Sequence, residues 1–248
     1  MSRHARQKSE SGIYHIMLRG INQQVIFEDE EDNARFIETL KAYKAISGYK
    51  LFAYCLMGNH LHLLLKTEKE DLASIFKRIA GSYVYWYNWK YRRSGHLFQD
   101  RYKSEPIEDD AYFLTVLRYI HQNPVKIGIK IDSYKFSSYT DYVNRDESLI
   151  DIDFALAMMS MEQFVAFNNE KNADSCLDFN EKEFRLSDND AKAIIKRVSK
   201  CKNAAEFQGL EIQKRNKYIK KLYENGLSLR QISRLTGTSK GFIESMRQ

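Results

Sequence analysis

The sequence predicts an α+β fold, an antiparallel sheet with flanking helices, followed by an all-α C-terminal region. Composition is the first observation. Of the 248 residues, 43% are hydrophobic and 29% charged, a globular balance with enough chain for one or two domains. The second is a succession of apolar periods before residue 125, near two in some segments and near 3.6 in others, in the order strand, helix, strand pair, helix, strand, helix. The third is that only helical periodicity follows Asp190.

Gly12 to Arg19 alternates and reads as a strand. A polar stretch then leads to a helix from about Asn33 to Ile46, where Phe36, Ile37, Leu40, Tyr43 and Ala45 share one side and Ser47-Gly48 is the stop. Tyr49 to Met57 is an aromatic-rich buried strand, and Gly58-Asn59 is a two-residue hairpin signal that returns the chain through His60 to Lys66. Asp71 to about Lys90 is helical, with Leu72, Ile75, Phe76, Ile79, Tyr83, Trp86 and Tyr87 on one side. His96 to Ile107 reads as a further strand, bent at Pro106. Glu108, Asp109 and Asp110 suit the positive end of a helix that runs to Gln122, and Pro124 disfavours its continuation through Asn123. Residues 130–145 add a short aromatic turn and helix, and a helix is expected over Asp153 to Phe167.

These elements divide into residues 1–145 as an α+β domain, 146–190 as an acidic connector carrying a helix, and 191–248 as a basic helical module. Net charge follows the same division, at +5, −9 and +10 within a total of +6. Two basic blocks around an acidic one suit two modules that face a polyanion, and the C-terminal block points to nucleic acid. Two prolines and eleven glycines exclude long Pro/Gly linkers. No apolar run approaches the roughly 20 residues that span a bilayer, and MSRHARQKSE lacks the apolar centre of a signal peptide, so no membrane partner is expected. Three cysteines, Cys55, Cys176 and Cys201, have no metal-type spacing and leave an odd count, which favours a reducing, cytoplasmic setting.

Two local patterns carry chemistry. His60-Leu61-His62 sits directly after the hairpin turn, and alternate strand residues project from one face. Two neutral imidazoles side by side suit a divalent cation, although a strand with two hydrogen-bonded histidines shows the same pattern. Tyr119 and Asn123, four apart, share a helix face, with the phenol a possible nucleophile and the amide oxygen a ligand for a hard metal. An aromatic core residue before an Asn-Pro helix stop is the alternative there.

His60-Leu61-His62 in the setting YCLMGNHLHLLL, with Tyr119-Ile120-His121-Gln122-Asn123-Pro124-Val125 after an acidic helix start, resembles the single-tyrosine HUH transposases. More narrowly it is similar to the REP-associated tyrosine transposases of the IS200-like group, as are GIYHIMLRG and HLFQDRYKS. The resemblance covers roughly residues 10–145 and implies a ferredoxin-like, RRM-like HUH fold. It implies a transposase that cleaves and rejoins structured single-stranded DNA, such as a repeat hairpin, through a 5′-phosphotyrosine intermediate. Tyr119 matches the nucleophile and His60 and His62 the ligands of Mg²⁺ or Mn²⁺. The family's third ligand is often Gln, where this chain has the shorter Asn123.

Arg19, Lys90, Arg92, Arg93, Arg101, Lys103 and Arg118 bracket this site as a DNA surface, and His121 reads as a DNA contact. The aromatic run Tyr83, Tyr85, Trp86, Tyr87, Trp89 and Tyr91 is mostly core, with one or two rings free to stack on unpaired bases.

In the C-terminal block, Gln213 to Glu224 is a basic helix stopped by Asn225-Gly226. Ser228 and Thr238-Ser239 cap two further helices, and Leu229, Ile232, Leu235, Phe242, Ile243 and Met246 form a small core. This spacing resembles a helix-turn-helix that would bring Ser239, Lys240, Glu244 and Arg247 to duplex DNA. The competing functions are a catalytically silent DNA-binding protein on the same fold and, ranked last, an RNA-binding or RNA-cleaving protein. A homodimer and a monomer are equally compatible with the sequence.

Overall fold

A computed structural model describes residues 7–178, 188–225, 227 and 229–245, and the chain forms two compact units, Met1–Asp178 and Phe179–Gln248.

The first unit is built on β1 (Ile13–Arg19), β2 (Lys50–Met57), β3 (His60–Lys66) and β4 (Lys103–Ile107), with α1 (Glu30–Ser47), α2 (Leu72–Lys90) and α3 (Asp110–His121) between and after them. The sheet order is β2-β3-β1-β4, antiparallel throughout. Residues opposite one another across a ladder share a face. Arg19, Met17 and His15 of β1 therefore lie on one face with His60, His62 and Leu64 of β3, Cys55 and Met57 of β2, and Lys103 and Glu105 of β4. The opposite face carries Ile16, Leu18, Leu61, Leu63 and Leu65, all buried, so the sheet is covered on both sides. Double coverage explains why the central strands read as nearly continuous apolar runs.

Caps move two helix starts away from the apolar pattern. Asp29 caps α1, and Asp32 completes a reciprocal capping box, so the helix begins at Glu30. Asp109 caps α3 by accepting from Tyr112 N–H at 2.7 Å. The strand expected from His96 begins only at Lys103. Residues 97–99 instead tie to the end of β1 through a Gly20–Phe98 bridge and a Gln99 N–H bond to Arg19 O. Pro106 is tolerated because β4 is an edge strand.

The expected connector over 146–190 requires a correction. Leu149, Ile150, Ile152, Ala155 and Phe164 are buried in the core of the first unit, and the boundary falls after Asp178. The acidic side chains dominate the composition of this span, but its spaced apolar residues decide the packing. After α4 (Tyr139–Asn144), the single helix expected here is two, α5 (Asp153–Leu156) and α6 (Met161–Asn169). Ser160 starts the second with a capping box to Gln163, a contribution of about 1 kcal/mol.

The second unit holds α7 (Asp188–Ser199), α8 (Ala204–Gln208), α9 (Ile212–Glu224), α10 (Leu229–Thr236) and α11 (Lys240–Ser245). Its core gathers Ala191, Ile195, Phe207, Ile219, Leu222, Ile232 and Ile243. Gly237, at φ +71°, makes the turn between α10 and α11, where a β-carbon would be strained. Gln208 Nε2 pins that turn by donating to Thr236 O and Thr238 Oγ1. Ser239 Oγ accepts from Phe242 N–H at 3.4 Å, and Phe242 itself is exposed rather than part of the core. Gly226, Ser228, Met246 and Arg247 lie outside the described residues. No helix among the described residues is long and apolar enough to cross a membrane.

Candidate active site

The Gly58-Asn59 turn delivers His60 to the first position of β3, and the strand period sends Leu61 to the opposite face and returns His62 to the first. The two imidazole centroids are 5.2 Å apart. His60 Nδ1 is 2.7 Å from Asn59 Oδ1, so the carboxamide oxygen accepts there and Nε2 faces outward from that bond. His62 is completely buried, and its Nε2 has no hydrogen-bond partner.

Tyr119 and Asn123 approach from above this face. Asn123 opens a 3-10 turn, Asn123–Ile127, that continues from α3 past Gln122, and Pro124 is accepted at its second position because the N–H groups of a first turn need no partner within the helix. Asn123 Nδ2 donates to Tyr119 O at 2.9 Å, and the same amide bears electrostatically on the His60 ring. The Tyr119 ring meets His62 edge-on at 5.8 Å between centroids. It is 7% exposed, and its hydroxyl stands at the rim of the site, donating to Asp178 and accepting from Lys126 Nζ at 2.6 Å. Lys126 also pairs with Asp178 at 2.8 Å and lies 4.0 Å over the Tyr119 ring centroid.

A third imidazole joins the pair. His15 of β1 is fully buried, with Nε2 2.9 Å from His62 Nδ1 and the rings stacked at 5.2 Å. Its Nδ1 is 3.8 Å from Glu105 Oε2, an electrostatic approach longer than a direct hydrogen bond. Burial holds all three rings neutral. It lowers His15 against the opposing pull of Glu105, brings His60 down to about 4, and pushes His62 well below the imidazole range, with His15 and His60 adding to the effect. Neutral rings keep the lone pairs that metal binding requires. Among the described residues no group of three or more His, Cys, Asp or Glu is arranged to hold a metal. The face offers two imidazoles and an amide instead.

The expected DNA contacts separate into three groups. Arg19 lies opposite His60 across the ladder, its charge adds to the lowering of that ring, and Lys103 shares its face. Arg92 and Arg93 fold back on the end of α2, where Arg93 also donates to His96 O, and Arg101 follows the 97–99 segment tied to the end of β1. Two assignments are corrected. His121 is fully buried, held by Asn168 Oδ1 and Ser138 Oγ at 2.9 Å each, because on α3 it points into the packed layer of Tyr139, Tyr142 and Phe164. Arg118 stacks over Phe167 and is committed to Asp174 at 2.8 Å and Glu170 at 3.2 Å. Lys90 is likewise held by Asp29, Glu31 and Asp32.

Of the aromatics on α2, Tyr85 and Trp89 are outward-facing, 79% and 72% exposed, while Tyr83 and Tyr87 are core. Ser239 and Lys240 stand at the start of α11 in the second unit. Sequence reasoning missed His15, Glu105, Lys126 and Asp178. The alternation of GIYHIMLR, with His15 four residues before Arg19, was the one available signal.

Residues 8–123 match the family model described as "Transposase IS200 like". Among solved structures, the chain is similar to a REP-associated tyrosine transposase bound to a REP hairpin, at 18% identity over 62% of this chain and 90% of that one, with a TM-score of 0.51. It is also similar to a putative transposase from Deinococcus radiodurans R1, at 17% identity over 49% of this chain and 97% of that one, with a TM-score of 0.35. No curated protein matches.

Proposed function

We propose that this chain, whose residues 8–123 match the IS200-like transposase family, acts as a transposase of that kind and cuts and rejoins single-stranded DNA with Tyr119 as the nucleophile. The observation that carries the reading is convergence: a phenol, two neutral imidazoles and an amide from two separate elements meet on one sheet face. In the step, Tyr119 Oη attacks phosphorus and the bond from phosphorus to the 3′ oxygen breaks. The phenol proton is released, and the departing oxygen takes up a proton to become a 3′-hydroxyl. The products are a 5′-phosphotyrosine and a free 3′ end, and attack by a 3′-hydroxyl reverses the exchange. One ester replaces another, so no hydrolysis is needed to drive rejoining.

His60, His62 and Asn123 would hold Mg²⁺ or Mn²⁺, and the unpartnered His62 Nε2 is the feature that fits such an ion. A bound cation supplies charge neutralisation at a non-bridging phosphate oxygen. Lys126, 2.6 Å from the phenol oxygen, offsets the negative charge left there as the proton departs. Arg19 and Lys103, on the same face, suit backbone phosphates.

The substrate reading is structured single-stranded DNA, supported by the solved chain of the same fold captured on a REP hairpin. Labelled hairpin oligonucleotides incubated with Mg²⁺ or Mn²⁺ and run on a denaturing gel test it. A covalent protein–DNA band supports strand transfer. Retention on a native gel without that band favours the alternative of a catalytically silent DNA-binding protein.

In the structure, a carboxylate occupies the cationic group that a phosphate would use, with Asp178 on Lys126 and on the Tyr119 hydroxyl. DNA must displace Asp178 from the phenol. Asp178→Ala therefore accelerates adduct formation at sub-saturating hairpin by about three- to tenfold, the equivalent of the ~0.5–1.5 kcal/mol of one such contact. A slower or unchanged single-turnover rate would refute that competition.

The second unit reads as a helix-turn-helix that presents Ser239 and Lys240 to duplex DNA, supported by the Gly237 turn and the +10 charge of residues 191–248. Deleting residues 191–248 weakens binding to hairpin-flanking duplex and flattens its salt dependence. Cleavage of a short saturating hairpin changes less. Equal affinity and salt slope before and after deletion count against the assignment.

A further inference from the structure

We propose that His15 and Glu105 are positioning residues that set the tautomer of His62, and through it the readiness of this face to bind a divalent cation. The inference rests on the reading of His60 and His62 as cation ligands, and it adds a device that the ligands alone do not contain.

The geometry defines a line of four groups: the Glu105 carboxylate, His15 Nδ1 facing it at 3.8 Å without a hydrogen bond, His15 Nε2 against His62 Nδ1 at 2.9 Å, and His62 Nε2, also without a partner. Only one proton can lie between the two imidazoles, so two arrangements exist. In the first, His15 carries its proton on Nδ1 toward the carboxylate, its Nε2 accepts from His62 Nδ1–H, and His62 Nε2 is a bare lone pair. In the second, His15 Nε2–H donates to His62 Nδ1, which leaves a proton on His62 Nε2 and turns the His15 Nδ1 lone pair toward a negative carboxylate.

Glu105 selects the first. Its carboxyl is held below its usual range by the interaction with His15, with Tyr112 and Leu177 N–H adding to the effect, so it is an anion facing Nδ1. Lone pair against anion is repulsive, and N–H toward anion is attractive, in a pocket where His15 and His62 are both completely buried. Lys126 and Asp178 bear on His15 with opposite signs. A bare Nε2 in a dry interior is costly unless something occupies it. The relay thus holds His62 in the form that can ligate through Nε2, at the expense of leaving that nitrogen unsatisfied in the metal-free protein, with His15 Nδ1 held only by its charge interaction with Glu105.

Without this relay a neutral imidazole favours the proton on Nε2, the form that cannot bind metal through that nitrogen. His15→Phe fills the space and removes the acceptor, Glu105→Leu removes the selecting charge at a half-exposed edge position, and His15→Gln restores an acceptor oxygen near the lost Nε2. The test uses the full-length protein. Long-range ¹H–¹⁵N spectra of ¹⁵N-histidine-labelled, metal-free protein report which His62 nitrogen is protonated, and Mn²⁺ binding is followed by electron paramagnetic resonance.

The expected result is His62 protonated at Nδ1 in the wild type. The proton shifts toward Nε2 in His15→Phe and Glu105→Leu, and Mn²⁺ affinity falls by about tenfold or more, the scale for loss of a partner behind a ligand. His15→Gln recovers part of both. Nε2 protonation in the wild type, or an unchanged tautomer and affinity in a variant that melts like the wild type, would overturn the proposal. Mn²⁺ binding that survives His60→Ala and His62→Ala together would sink the ligand reading on its own, and the spectra would still decide the relay.

Discussion

Tyr119→Phe abolishes covalent attachment to a cleaved hairpin oligonucleotide, a loss of at least about a thousandfold, and leaves hairpin affinity within about twofold of wild type. The asymmetry follows from what the substitution removes. The ring stays against His62 and His15, with centroids 5.8 and 6.1 Å away, so the packing of α3 on the sheet is retained. Lys126 and Asp178, already paired at 2.8 Å, keep one another as partners when the hydroxyl disappears. Nothing else in the binding face changes charge. A denaturing gel reads the adduct and a native gel the affinity. Persistent adduct in the phenylalanine variant would move the nucleophile to another residue.

The second large effect is the loss of metal-stimulated cleavage when His60 and His62 are both replaced by alanine. Activity falls to the level that wild-type protein shows in chelator, and added Mg²⁺ or Mn²⁺ restores nothing. The two positions differ in their structural burden. His60 lies at the rim and loses only its bond to Asn59 and the contact with Asn123, so His60→Ala is a clean probe of ligation. His62→Ala also leaves His15 Nε2 unpartnered in a dry interior, at a cost of about 1–3 kcal/mol in stability, and thermal melting separates that cost from lost catalysis. Cleavage that is unchanged in the double variant, with or without chelator, would end the metal reading.

Much of the candidate site was legible from local pattern. The hairpin turn and period-two alternation put His60 and His62 on one side of β3, and helical spacing put Tyr119 beside Asn123 near the end of α3. Each inference needed only residues within a few positions of one another. His121 shows where that logic stops. Its position two residues after Tyr119 correctly turned it away from the phenol, but periodicity could not say whether that direction led to solvent or to the layer of Tyr139, Tyr142 and Phe164. Arg118 is a similar case, since its charge was visible and the carboxylates that hold it, 52 and 56 residues later, were not.

By itself, then, the sequence determined most of the strand and helix segments, the shared face of the two histidines, the tyrosine four residues before its amide partner, and the basic character of the last 58 residues. Those properties depend on backbone period, turn chemistry and charge, which neighbouring residues set among themselves. The tertiary structure decided that His15 stands behind His62, that Glu105 stands behind His15, that Lys126 and Asp178 meet at the phenol, and that residues 146–178 belong to the first unit. The reason is that those contacts follow from the sheet order β2-β3-β1-β4 and its register, and from burial of apolar residues far apart in the chain. Such long-range pairing is selected by the packing of the whole unit, and no local window of residues contains it.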